Sequence, residues 1–266
     1  MKRFKHIVDT TLRDGEQSPG FAFSKEQKLN IANMLDDAMV FQIEAGIPAL
    51  GSYEKDTLCE IVDNKKNSKI SVWNRLNVND INHSFDCNPD IIHISVPVSY
   101  AQIYTKLHKN KAWIIKNLTI CVELALSHGY EVTVGFEDAS RADTTFLVAL
   151  STLLKEMGVT RIRFADTVGV LTPTRTFKSI SDLISYTGIE VEMHAHNDLG
   201  MAVANSIVAV KAGANYIDTT ILGIGERAGN CDMQKFIYAS EPAFSTNISR
   251  VTALLIEEKA SKILLR

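Results

Sequence analysis

Long apolar runs are missing from this chain. No stretch approaches the ~18–20 consecutive apolar residues that cross a bilayer, so no membrane association is expected. The N-terminus is basic at Lys2, Arg3 and Lys5 but meets Asp9 before the apolar centre of a signal peptide can form. Cysteine is sparse as well. Cys59, Cys87, Cys121 and Cys231 lie far apart and form no CxxC pair. That argues against a disulfide framework or a cysteine zinc site and for buried free thiols, hence a cytoplasmic location. Charge of one sign is not in excess either: 28 basic against 31 acidic residues leave −3, too little basic field for a nucleic-acid binder. No polar linker or change of composition divides the chain. With 45% hydrophobic residues in 266, there is ample material for a core and disorder is excluded.

Two patterns alternate along this length. Short β-branched or apolar runs occur at His6–Leu12, Val40–Ala45, Lys69–Arg75, Ile91–Val98, Glu131–Glu137, Thr160–Ala165, Glu190–Ala195 and Tyr216–Leu222, several with the continuous apolar character of strands covered by helices. Between them lie segments of helical period. Ser24–Met39 opens with a capping-box pair, Ser24 and Gln27. Thr144–Met157 carries Leu147, Leu150, Leu154 and Met157 on one face and stops at Gly158. Pro173 sits near the start of the next helix, and Val203, Ile207 and Val210 mark a further one ending at Gly213. Eight strand–helix repeats predict the α/β class and a single (β/α)8 TIM barrel, which typically needs ~250 residues. The barrel is expected over 1–246. A helical tail is expected over 247–266, with Asn247–Leu265 helical and Val251, Leu254, Leu255 and Ile263 on its apolar side.

Polar residues crowd the C-terminal ends of the predicted strands, which in such a barrel share one face, the catalytic one. The densest group is Met193-His194-Ala195-His196-Asn197-Asp198. Residues i and i+2 of a strand point the same way, so His194 and His196 can share one ion, with a nearby Asp completing the set. An isolated histidine would more often be a packing residue. A second cluster, Asp9-Thr10-Thr11-Leu12-Arg13-Asp14-Gly15-Glu16-Gln17, closes the first strand. It reads equally as a salt bridge or as a carboxylate ligand beside a cation aimed at developing negative charge. The third, Gly223-Ile224-Gly225-Glu226-Arg227-Ala228-Gly229-Asn230, is either an ordinary glycine-rich loop or a place where backbone approaches a ligand. Its spacing is not that of a dinucleotide-binding loop.

Taken together, DTTLRDGEQ, HAHND and GIGERAGN resemble the DRE-TIM metallolyase family, and within it the Claisen-condensing branch of homocitrate, isopropylmalate and citramalate synthases. IEAGIPALG, VGFEDASRAD and ADTVGVLTP bring the likeness nearest to homocitrate synthases that serve assembly of the nitrogenase iron–molybdenum cofactor. The resemblance runs to about residue 240 and implies a divalent metal (Mg, Mn or Zn) bound by Asp14, His194 and His196, with Asn230 nearby or coordinating. It implies acetyl-CoA and a 2-oxo acid as substrates, 2-oxoglutarate for a homocitrate synthase. Arg13 is placed to stabilise the enolate or alkoxide, Thr167 to hold the oxo acid carboxylate, and Gln17 and Glu44 to line the pocket. Glu137 matches a glutamate that relays or positions a proton; the plainer alternative is that it pairs with Arg141 or Arg163.

Two departures qualify the resemblance. Lysine-pathway synthases carry an Arg-x-Ser on strand five for the distal carboxylate, where this chain reads Thr133-Val134-Gly135, leaving Arg75 as the candidate cation. Family synthases also continue for roughly a hundred residues beyond the barrel, whereas this chain ends at Arg266; either it is a fragment or a second subunit supplies that region, and the second, within an oligomer, is the expectation. A hydroxymethylglutaryl-CoA lyase-like activity, for which Cys231 would be the relevant thiol, and a silent scaffolding subunit are the alternatives.

Overall fold

A computed structural model describes residues 3–264. In chain order the elements are β1 (Arg3–Phe4), β2 (His6–Asp9), α1 (Lys25–Asp37), β3 (Gln42–Gly46), α2 (Ser52–Asn64), β4 (Lys69–Arg75), α3 (Val78–Phe85), β5 (Ile91–Pro97) and α4 (Lys111–Ser127). They continue with β6 (Glu131–Glu137), α5 (Thr144–Glu156), β7 (Arg161–Asp166), α6 (Pro173–Thr187), β8 (Glu190–Ala195), α7 (Ala202–Ala212), β9 (Tyr216–Thr219), α8 (Met233–Ser240), β10 (Phe244–Ser245) and α9 (Arg250–Leu264). Strands β2 to β9 close into a barrel in sequence order, with every pairing parallel and β9 returning to β2. This is the predicted (β/α)8 architecture.

Local chemistry sets the boundaries. Ser24 accepts a bond from the Gln27 amide while the Gln27 side chain accepts one from the Ser24 amide, so the expected capping box is present. Pro173 is the first residue of α6, where its missing N–H is harmless. Gly158, with φ +95, follows α5 in a conformation that a residue with a Cβ rarely adopts. The sequence reading missed β1 and β10, which pair in parallel outside the barrel; two residues each are too short to carry a period. It also put three residues of the last helix on the wrong face, although Ile263, expected with them, does pack against the core. Ala253, Ile256 and Ala260 are its buried residues, whereas Val251, Leu254 and Leu255 are exposed. Ala253 and Ala260 flank Ile256 on the face that packs against α8 and α1. The predicted helix end at Leu265 lies outside the described residues. Cys87, Cys121 and Cys231 are buried free thiols as expected, while Cys59 is half-buried.

Aliphatic side chains from β strands and helices fill the layer around the barrel, but the barrel axis is polar. At its N-terminal end His6, Phe41 and Tyr216 form an aromatic plug with centroids 4.3 to 5.5 Å apart. Above it, buried charges alternate. Glu192 bridges Arg161 (Nε to Oε2, 2.7 Å) and Arg163, and Glu44 bridges Arg163 (Nη2 to Oε2, 2.6 Å) and Arg13 (Nε to Oε1, 2.5 Å). Arg13 then donates to Asp14 at 2.7 Å. The ladder Arg161–Glu192–Arg163–Glu44–Arg13–Asp14 runs from the plug to the C-terminal mouth. No described helix is long and apolar enough to cross a membrane.

Candidate metal centre and active site

The mouth holds a cavity of about 480 Å³ lined, among others, by Arg13, Asp14, Gln17, Trp73, Glu137, Arg163, Thr167, His194 and His196. Asp14 leaves the turn after β2, His194 is on β8 and His196 just beyond it. Their donor atoms lie within 4.8 Å of one another, and all three residues are buried. His194 Nε2 faces His196 Nε2 at 3.2 Å, and the two stand 3.8 and 4.0 Å from Asp14 Oδ2.

Electrostatics favour the ligand forms. Burial pushes the Asp14 carboxyl up, but the charge of Arg13, that of the two histidines at a pH low enough to protonate them, and a hydrogen bond from Asn230 outweigh it and bring it down to about 2. Burial lowers both imidazoles, His196 to about 4 with His194 assisting, so both are neutral at pH 7. Asp218 Oδ2 lies 2.8 Å from Arg163 Nε, as an ion pair, and 3.0 Å from His194 Nδ1. A carboxylate beside Nδ1 favours the proton there and leaves the Nε2 lone pair facing Asp14 and His196. Two neutral imidazole nitrogens pointed at each other and at a carboxylate are poorly satisfied by themselves. The same set fits a divalent cation, for which buried N,N,O donors are common ligands.

Asn230 is held beside this group. Its Nδ2 donates to Asp14 Oδ2 at 2.6 Å and to the Ile224 carbonyl at 3.0 Å, while its buried Oδ1 has no protein partner. The loop owes its path to glycine: a Cβ on Gly225 would overlap the Asn230 amide, and one on Gly229 the Gly223 carbonyl. Arg227 ties the loop down, bonding both Asp198 oxygens (2.8 and 3.1 Å) and the Thr167 carbonyl (2.7 Å). Gly225→Ala is therefore expected to displace Asn230 and weaken Mn²⁺ affinity about 10- to 100-fold, read by equilibrium titration, with the fold retained.

The remaining sequence candidates separate. Gln17 and Thr167 line the cavity; the Thr167 hydroxyl accepts from the Asp138 amide at 2.8 Å and donates to Glu137 at 3.2 Å. Glu137 pairs with neither Arg141 nor Arg163: Ser95 and Thr167 hold its two oxygens, at 2.7 and 3.2 Å, and Arg141 is taken by Asp138. Glu44, expected on the wall, is fully buried beneath it between two guanidiniums. Arg75 does line the cavity, but Asp80 grips its guanidinium at 2.6 and 3.0 Å. Sequence reasoning missed Asp218, Arg163, Trp73 and Ser95. The i, i+2 pair Arg161/Arg163 puts two cations on one side of β7, but nothing local names the carboxylates that pair with them. The Asp218 contact to His194 left no signal either. Cys231 is fully buried, its thiol pushed up to about 12 by burial.

Comparison with known proteins agrees with this geometry. The chain is 50% identical over 232 residues to homocitrate synthase subunit alpha of Clostridium pasteurianum, covering 87% of this chain and 86% of that protein. It is 41% identical to 2-isopropylmalate synthase 2 of Caldanaerobacter subterraneus subsp. tengcongensis, covering 91% of this chain but 63% of that one. The HMG-CoA lyase of Bacillus subtilis superposes with a TM-score of 0.87, covering 98% of this chain and 94% of the other, at 17% identity, a likeness of fold alone. Residues 5–253 match the family model described as HMGL-like, and the chain belongs to that family.

Proposed function

We propose that this chain is the catalytic barrel of a homocitrate synthase, condensing acetyl-CoA with 2-oxoglutarate in the supply of nitrogenase cofactor. The observation that carries the reading is the convergence of Asp14, His194 and His196 with Arg13 and Glu137 on one cavity; the 50% identity to a homocitrate synthase subunit supports the substrate assignment.

When bound at Asp14, His194 and His196, a divalent ion (Mg, Mn or Zn) supplies Lewis-acid polarisation of the oxo acid ketone. The chain's own groups do the rest. Arg13, held by Glu44 and Asp14, offers fixed positive charge where the ketone oxygen becomes an alkoxide, an effect worth about 10²–10³ in rate in other enzymes. Glu137 has no cationic partner among the described residues, and its oxygens are aimed by Ser95 and Thr167; it takes or relays the proton lost by the acetyl methyl group. Thr167 also stands where it can orient the oxo acid carboxylate. The new bond joins that methyl carbon to the ketone carbon, the alkoxide takes a proton, and water cleaves the thioester C–S bond to release coenzyme A. The reading includes a partner polypeptide and an oligomeric, cytoplasmic enzyme, in keeping with the subunit name of the clostridial relative. Buried Cys231 gives no support to a lyase that uses a mobile thiol.

A panel of 2-oxo acids with acetyl-CoA, with and without the partner, tests it. Thiol release with 2-oxoglutarate that is lost on chelation and restored by metal is the expected result; release with 2-oxoisovalerate or pyruvate instead would reassign the substrate.

A further inference from the structure

Two of the four cysteines, well separated in sequence, meet in the helical layer around the barrel. Cys59 is on α2, and Cys87 follows α3 on the way to β5. Their surroundings interlock. Cys59 Sγ lies 3.5 Å from the carbonyl of Asp86, the residue before Cys87. Cys87 Sγ lies 3.8 Å from the carbonyl of Lys55, one turn before Cys59 on α2. Each thiol therefore rests against the backbone that carries the other, and the two sulfurs are within hydrogen-bonding reach. No CxxC spacing announces this pair, because it depends on how α2 packs beside the end of α3.

The two thiols differ in access. Cys87 is 3% exposed, whereas Cys59 is half-buried and open to small solutes. Burial pushes the Cys87 thiol up to about 12, with the charge of Cys59 and a hydrogen bond to it acting in the same direction. Cys87 thus keeps its proton at neutral pH and stands behind the sulfur that an oxidant reaches. Lys55 Nζ, paired with Asp86 at 2.7 Å, sets a positive charge close to both sulfurs. A partly exposed sulfur beside a cation, with a second sulfur behind it, is the arrangement of a thiol that oxidises reversibly. Cys121 and Cys231 lack that access: they are 1% and 0% exposed, and burial pushes them up to about 11 and about 12.

We propose that Cys59 and Cys87 form a reversible dithiol–disulfide site, oxidised by a peroxide and independent of the reaction proposed above. Cys59 sulfur attacks one peroxide oxygen; the O–O bond breaks, the sulfur is oxidised to a sulfenic acid, and the other oxygen leaves as water with the thiol proton. Cys87 sulfur then attacks Cys59 sulfur, an S–S bond replaces the S–O bond, and the Cys87 proton departs with the hydroxyl group as a second water. The disulfide joins α2 to the turn before β5 and spares Cys59 from irreversible oxidation to the sulfinic acid. The folded protein would be treated with hydrogen peroxide in stoichiometric steps, its remaining thiols alkylated under denaturing conditions, and its peptides mapped by mass spectrometry. Loss of two of the four free thiols is expected, as a Cys59–Cys87 peptide that dithiothreitol returns to thiols, with Cys121 and Cys231 still free. In Cys87→Ser, Cys59 should proceed to the sulfinic acid at doses that leave the wild type with only the disulfide. A wild type that keeps all four thiols, a Cys59 partner other than Cys87, or a link that forms only after unfolding would overturn the site. So would equal sulfinic acid at Cys59 in wild type and Cys87→Ser.

Discussion

Replacing Arg163 by Leu is expected to destabilise the barrel by about 3–5 kcal/mol at pH 7, measured by urea unfolding. Arg163 is almost fully buried and is the shared partner of Glu44, Glu192 and Asp218. Leucine leaves those carboxylates with Arg13 and Arg161 alone, and Asp218 with no cation. The pH dependence has a definite sign. Burial pushes Glu44 and Glu192 up, but the flanking guanidiniums outweigh it and hold both below the usual carboxylate range in the wild type. Their ionisation thus contributes stability above the unfolded glutamate value of about 4.3 that is lost as pH falls toward their folded values. In the variant they ionise less readily, so the penalty is largest at neutral pH and narrows below about pH 5. Arg163→Lys should recover part of the loss. A penalty independent of pH would mean that packing, and not charge, accounts for it.

The second large effect concerns turnover. His196→Ala is expected to lower metal-dependent condensation by at least about 10³-fold, assayed in the assembly that supports wild-type activity. The fold should survive, because His196 makes no bond into the ladder and its Nδ1 has no protein partner. Asp218→Asn is a milder companion: it keeps the shape but alters the carboxylate beside His194 Nδ1, so about 10- to 100-fold is expected. A His196→Ala protein with full turnover would remove the histidine from the metal set.

The fold was legible because its strands are written locally. Lys69–Arg75, Glu131–Glu137 and Glu190–Ala195 have the bounds read from the sequence, since β-branched runs between polar turns suffice to mark a covered strand. The clustering of Asp14, His194 and His196 was legible for a similar reason: barrel topology alone brings strand ends to one face. What escaped depends on pairings far apart in the chain. Arg163 and Glu44 are 119 positions apart, and no local pattern states that one barrel axis will be filled by alternating charges. Glu44 therefore looked like a wall residue although it supports Arg13 from below. Arg75 looked like a free cation for a different reason: Asp80 is near in sequence, but the pairing requires α3 to turn back over the end of β4. Most of the apolar side of α9 was misassigned because two alanines flank Ile256 in the contact, while Val251, Leu254 and Leu255 face outward.

Metal binding itself tests the central claim most directly. Chelator-treated protein would be titrated with Mn²⁺ under equilibrium conditions, wild type beside Asp14→Asn. One tight site per chain in the wild type, lost or weakened by at least about 100-fold in the variant, is the predicted result. Wild-type protein without a tight site, or equal affinity in both proteins, would contradict the assignment of Asp14, His194 and His196 as a metal centre.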